Sequence, residues 1–227
     1  MEKTAWVLLF DVNSQLWLEQ EWLMAPSYKL IYFNARGKAE LIRFIFAYAG
    51  VDYEDERISQ DKWPELKRKM PFGMLPVLEI DGKLVGQSNS IARYLAKQYG
   101  LAGRDEWESL QCDMLVDTLT DLKQELFQYR MEPDQFKKEE KKVVLMKEKI
   151  PFYLSKFEKV VTENRGFSVG GALTWTDFVF AVSLENFELI FGKESLDRYP
   201  SLRALKEKVF SLPSIQEWLQ KRPATDF

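Results

Sequence analysis

The stretch Met70–Leu95 constrains this chain more than any other. It reads Met-Pro-Phe-Gly-Met-Leu-Pro, then Val-Leu-Glu-Ile, Asp-Gly, Lys-Leu-Val-Gly, and Gln-Ser leading into Asn-Ser-Ile-Ala-Arg-Tyr-Leu. Asp81-Gly82 between two short alternating runs is a two-residue hairpin signal. Pro76 has no amide N–H, so it marks the first residue or the edge of a strand at Val77–Ile80. A cis Leu75-Pro76 bond is expected here. It would turn the chain sharply and leave the N–H and C=O of Leu75 able to pair with an extended ligand, as an added strand does. Gln87-Ser88 opens a helix whose first N–H groups and dipole favour an anion. Turn, strand, hairpin, strand and helix start thus line up groups that can hold a small peptide.

Composition narrows the chemistry. The chain has 227 residues, 46% hydrophobic and 30% charged, which suits a soluble globule of two modest domains or one large one. Net charge is −3 with no basic block interleaved with aromatics, so nucleic acid is not an expected partner. Lys137–Lys142 alternates sign in pairs and reads as a solvated helix face. There is no histidine, which excludes Ser-His-Asp and Cys-His catalytic units and every histidine metal ligand. The single cysteine, Cys112, forms no intrachain disulfide and reads as a small core residue in a helical pattern. No metal is expected, and the cysteine usage suits a reduced, cytoplasmic compartment. Nucleophilic chemistry is then left to the substrate or to a Tyr, Ser, Lys or carboxylate.

Residues 1–23 read as an extension outside the fold. The apolar run Ala5–Phe10 is six residues long, against about 20 for a membrane helix, so no membrane association is expected. Residues 24–100 carry alternating strand and helix signals: strand Tyr28–Phe33, helix Gly37–Ala49, strand Tyr53–Ile58, helix Trp63–Lys69, the hairpin Val77–Ile80 and Lys83–Gly86, and helix Ser88–Tyr99. Gly50 is placed to end the first helix in a left-handed turn. Residues 105–227 read as all-helical. Asp105–Tyr129 is long and acidic at its start, and Phe136–Glu163 carries Pro151 as a kink. Thr174-Trp-Thr-Asp177 has the form of a helix-start box.

In this order the motifs resemble the glutathione S-transferases, and in particular their sigma class, the family of the hematopoietic prostaglandin D synthases. Tyr28–Glu40, Tyr53–Arg57, Trp63–Lys67, Pro71–Gly73 and the ending Trp218–Pro223 carry the likeness, from Tyr28 to the C-terminus. The resemblance implies a thioredoxin-like α/β domain over 24–100 that binds glutathione. An all-α helical bundle with the electrophile site follows over 105–227.

The resemblance places Tyr32 on the catalytic position, where a hydroxyl donating to sulfur stabilises the thiolate of glutathione. A free thiol ionises near ~8.5, so such a donor is what makes it nucleophilic at neutral pH. Lys38 stands where relatives often carry Arg. It is either a cation near the thiolate or a solvent-facing lysine, and it lacks the planar fork of arginine. Trp63 and Lys67 share a helix face and match the positions that hold the glycine carboxylate. Leu75, with Pro76, would pair its backbone with the cysteinyl unit. Gln87 and Ser88 would take the γ-glutamyl carboxylate. Asp113, Asp117 and Asp121 form an acidic stripe at i, i+4 and i+8. In a homodimer of this family, Asp121 would reach the glutathione bound by the partner subunit. Phe33, Ala35, Lys38 and Gln128 would line the electrophile pocket.

The function implied is conjugation of glutathione to small apolar electrophiles, a detoxifying transferase to which lipid-peroxidation aldehydes and organic hydroperoxides would be suited substrates. Prostaglandin D synthase is a second implied activity. Thr120 stands where that branch carries Asp in an inter-subunit metal site, and Gln128 stands where it carries Trp. A third reading is a non-catalytic, crystallin-like structural protein. Tyr32, Trp63, Lys67, Gln87 and Ser88 argue against it.

Overall fold

The computed structural model describes residues 25–225, so the expectation for residues 1–23 lies outside the described residues. β1 (Tyr28–Phe33) alternates its side chains between two apolar clusters. Leu30 enters the large core, and Ile31 a smaller one with Ile58 and Val77. β1 pairs in parallel with β2 (Glu54–Ile58) and antiparallel with β3 (Val77–Ile80), which pairs with β4 (Lys83–Gly86). The sheet order is β2-β1-β3-β4. Asp81 and Gly82 both have positive φ, +49° and +79°, as the tight Asp-Gly hairpin requires.

The helix expected over Gly37–Ala49 begins differently. Gly37–Ala39 is a 3-10 turn, and α1 proper is Glu40–Ala49. The turn is tight because Gly37, at φ +41°, folds the chain back over Tyr32. Gly50 ends α1 at φ +64°, in the left-handed conformation expected of it. α2 is short, Trp63–Leu66, and tightens into a 3-10 turn at Lys67–Lys69. The Leu75-Pro76 bond is cis. α3 (Ser88–Gln98) crosses the sheet and packs on α1.

The remainder is helical. α4 (Glu106–Arg130) starts at Asp105, whose carboxylate accepts from the Glu108 N–H at 2.8 Å. α5 (Gln135–Val144) and α6 (Ile150–Glu163) are joined by the five-residue π turn Leu145–Lys149. The irregularity expected at Pro151 therefore falls in the turn before it. The proline ring lacks an N–H and crowds the preceding carbonyl, and the widened turn accommodates both. α7 (Trp175–Phe191) is buried over its first half, Trp175–Val182, and runs through the core; α8 (Pro200–Phe210) and α9 (Pro213–Lys221) close the bundle. Thr174 and Asp177 form the box read from the sequence. Asp177 also accepts from the Ser168 N–H at 2.7 Å, so this helix start pins a loop as well.

One core spans both regions. Ile42, Phe44 and Phe46 of α1 and Leu78 of β3 share it with Phe178 and Phe180 of α7, all at most 2% exposed. Each such side chain contributes about 1.5–3 kcal/mol on burial. Cys112 lies in this core, and burial pushes its thiol above the ordinary range, as suits an inert residue.

Candidate active site

The loop Asn34–Gly37 brings the hydroxyl of Tyr32 under main chain. The backbone N–H of Lys38 donates to Tyr32 Oη at 3.2 Å. A Cβ on residue 37 would sit 2.5 Å from that oxygen, so only glycine lets the loop close this far. The hydroxyl accepts from the amide and keeps its own proton to donate.

Register sets what lies beside it. Ile31 pairs with Val77, so the next step along β1 brings Tyr32 level with Pro76. A narrow cleft there is walled by Lys38, Phe72, Met74, Leu75, Pro76, Gly86, Gln87 and Ser88. Lys38, Leu75, Pro76, Gln87 and Ser88, widely separated in the chain, thus meet in one place. Gln87 has φ +71° and ψ +103°, outside the regions open to an ordinary side chain. Such strain costs on the order of 1–3 kcal/mol and clusters at functional sites. It turns the chain so that α3 starts at the cleft and points its first N–H groups there.

Trp63 is half-buried in the smaller apolar cluster, edge-on to Phe33 with ring centroids 5.7 Å apart. It thus packs, as an ordinary tryptophan would, while no acceptor for its indole N–H is found among the described residues. Lys67 is exposed, and its stem lies along Gly73, another position of positive φ.

The acidic stripe of α4 divides. Asp113 pairs with Arg93 of α3 at 2.6 Å and is therefore a contact within the chain. Asp117 and Asp121 are exposed. Among the described residues Asp121 has no ion-pair partner.

Of the residues expected to line the electrophile pocket, Lys38 walls the narrow cleft, while Phe33, Ala35 and Gln128 lie elsewhere. Ala35 is buried at 7% exposure, and Phe33 turns into the small cluster with Trp63. Gln128 instead lines a cavity of about 440 Å³ between α4 and α5, with Glu125, Lys137, Glu140, Lys141, Val144, Leu145 and Lys149. None of its walls comes from the sheet, whereas Lys38, Gln87 and Ser88 converge on the narrower cleft. Helix geometry supplies the reason. Lys123 of α4 lies near enough to Lys38 for their charges to repel, and five residues further on Gln128 is rotated about 140° around the helix.

Lys123, which the sequence reading did not single out, is exposed on α4 with protein close around its ammonium, and it is not among the residues that wall the cleft. Desolvation, with repulsion from Lys38, brings its ammonium down to about 8. Phe127, one turn along the same face and 55% exposed, is a better wall for an apolar ligand than Gln128. The stripe Lys123, Phe127, Arg130 was the available signal. Glu40 and Arg43 were missed as well. Both are 0% exposed, and opposite charges at i, i+3 inside the apolar run of α1 were the sign of a buried pair.

Residues 28–97 match the family model described as glutathione S-transferase, N-terminal domain, and residues 120–222 match glutathione S-transferase, C-terminal domain. The chain is 45% identical over 200 residues to "Glutathione S-transferase S1" of Drosophila melanogaster, covering 88% of this chain and 80% of that one. It is 42% identical over 200 residues to "Hematopoietic prostaglandin D synthase" of Gallus gallus, covering 88% and 98% respectively. The solved structure of prostaglandin synthase D of Nilaparvata lugens superposes with a TM-score of 0.84 at 42% identity, covering 88% of this chain and 100% of that one. With both halves matched and the thioredoxin-like sheet and helical bundle in place, this chain belongs to the glutathione S-transferase family and is a transferase that uses glutathione.

Proposed function

We propose that this is a sigma-class enzyme in which Tyr32 activates the glutathione thiol. The observation that carries the reading is the Tyr32 hydroxyl held by the Lys38 amide beside the Leu75-Pro76, Gln87 and Ser88 cleft. Glutathione would lie along that cleft as a short added strand, its cysteinyl unit on the backbone of Leu75. Its γ-glutamyl carboxylate would meet Ser88 and the start of α3, and its glycine carboxylate Trp63 and Lys67. The Tyr32 proton would then point at the sulfur and favour the thiolate. Lys38 would add a positive charge, and the thiolate would attack a small apolar electrophile entering past Phe127. Domains at 24–100 and 105–227, a cytoplasmic setting, a detoxifying role and a homodimer sharing Asp121 belong to the same proposal.

The test is thiol conjugation to a generic aromatic electrophile, with parent and Tyr32→Phe compared across pH. Turnover that depends on Tyr32 supports the reading, and none in the parent would leave a structural, crystallin-like protein. Relatives named prostaglandin D synthase, at 42% identity against 45% for the Drosophila transferase, favour isomerase activity as a second reading. Against it, Thr120 presents a hydroxyl bonded to the Val116 carbonyl at 2.8 Å rather than a carboxylate, and Gln128 faces another cavity. Isomerisation of a cyclic endoperoxide, assayed beside conjugation, separates the two.

A further inference from the structure

The C-terminal motif Trp218–Pro223 reaches the loop that covers Tyr32 through buried charges. Glu40 Oε1 accepts from Trp218 Nε1 and from Arg222 Nη1, both at 2.9 Å. The other oxygen of Glu40 pairs with Arg43 at 3.2 Å. Arg43 Nη1 donates to the Ala35 carbonyl at 2.8 Å and to the Arg36 carbonyl at 3.5 Å. Arg222 Nη2 holds Glu185 at 3.0 Å, and Glu185 holds Arg36 at 3.4 Å. On the far side Arg43 and Arg57 share Asp55, and Arg57 donates to the Asn34 side chain at 3.1 Å. All three residues between Phe33 and Gly37 are therefore gripped by charged groups, and the grip ends two residues before Lys38, whose amide touches Tyr32.

We infer that Arg222 is a positioning residue for thiol activation: through Glu40–Arg43 and Glu185–Arg36 it fixes the loop whose Lys38 amide orients the Tyr32 hydroxyl. The inference rests on the role proposed for Tyr32. Its physical basis is that a hydrogen bond loses strength steeply with distance and angle, and that a hydroxyl already accepting one bond donates a stronger one. Burial works against the Arg222 charge, but Glu40 and Glu185 outweigh it and hold its proton more tightly than usual. Arg222 therefore stays charged throughout the working pH range. Its planar fork presents a separate nitrogen to each of two carboxylates, a geometry that the compact ammonium of lysine does not reproduce.

The experiment measures, in the full chain, the pH at which bound glutathione ionises, by thiolate ultraviolet absorbance and by the pH profile of kcat/KM. The variants are Arg222→Met, Arg222→Lys, Glu185→Gln and Tyr32→Phe. Arg222→Met should raise that pH by about half a unit or more, a factor of about three in thiolate at low pH, with KM for glutathione within about twofold. Arg222→Lys should fall between Met and the parent. If Arg222→Met fails to fold, Glu185→Gln, which removes the Arg36 and Arg222 counter-charge at nearly constant shape, should give the same upward shift. Parent-like ionisation in the folded variants, while Tyr32→Phe shifts it, overturns the inference alone. Parent-like ionisation in Tyr32→Phe overturns the reading of Tyr32 itself.

Discussion

The main-chain N–H of Lys38 donates to the Tyr32 hydroxyl at 3.2 Å, so one short loop covers the tyrosine while the hydroxyl keeps a proton to donate. Removing the hydroxyl is the direct test. Tyr32→Phe should lower kcat/KM for conjugation by about ten- to a thousand-fold, the range of one lost transition-state donor. Glutathione affinity, read by calorimetry, should change little. Unchanged turnover with chemistry limiting the rate would remove the assignment.

Gly37→Ala should be almost as damaging to turnover while leaving the fold intact. The new Cβ would lie 2.5 Å from Tyr32 Oη at a φ of +41°, so the loop or the ring must move. The backbone penalty alone is about 1–2 kcal/mol. A melting temperature a few degrees lower with conjugation down at least tenfold is expected; normal conjugation would show that the loop contact is dispensable.

Asp121 is exposed on α4, and the proposed homodimer would have each subunit lend it to the other's site. Asp121→Asn should weaken glutathione binding by about 1–3 kcal/mol, the scale of a charge-assisted hydrogen bond, while dimers persist in sedimentation. Mixing Tyr32→Phe with Asp121→Asn places both lesions in one site of the heterodimer and leaves the other site whole. Recovered activity confirms sharing, and mixed dimers as inactive as their parents refute it.

Lys123 gives a pH signature. Its ammonium titrates at about 8 in the fold, against an ordinary 10.5. Between those values the unfolded chain holds a proton that the folded chain has released, so stability gained from this group rises with pH there. Below about 8 its charge is fully carried beside Lys38 and opposes folding. Lys123→Met should therefore be the more stable protein at neutral pH, with an advantage that shrinks as pH rises toward 10. Urea midpoints for both proteins across that range decide it; a constant gap would contradict the desolvated setting beside Lys38.

Tyr53→Phe should be neutral or stabilising. The ring stacks on Phe46 at 4.5 Å, but its hydroxyl is buried with no hydrogen-bond partner among the described residues. Deleting an unpaired buried hydroxyl removes a desolvation cost of about 1–3 kcal/mol. A clear loss of stability in thermal melts would reveal a partner for that group.

The sequence by itself determined the features that a few adjacent residues settle. Asp81-Gly82 can only turn tightly, Gly50 ends α1 because it tolerates the left-handed conformation, and Thr174 with Asp177 caps α7 whatever lies around it. These depend on backbone sterics and hydrogen bonds within about four residues. The family motifs extended that reach to Tyr32, Leu75 and Ser88. Tertiary structure alone decided the rest. How far α4 is rotated as it packs brings Lys123 near Lys38 and carries Gln128 to another cavity, and no spacing argument supplies that angle. Packing likewise set Arg222 on Glu40, 182 positions away, because a buried carboxylate must find its counter-charges wherever the fold brings them.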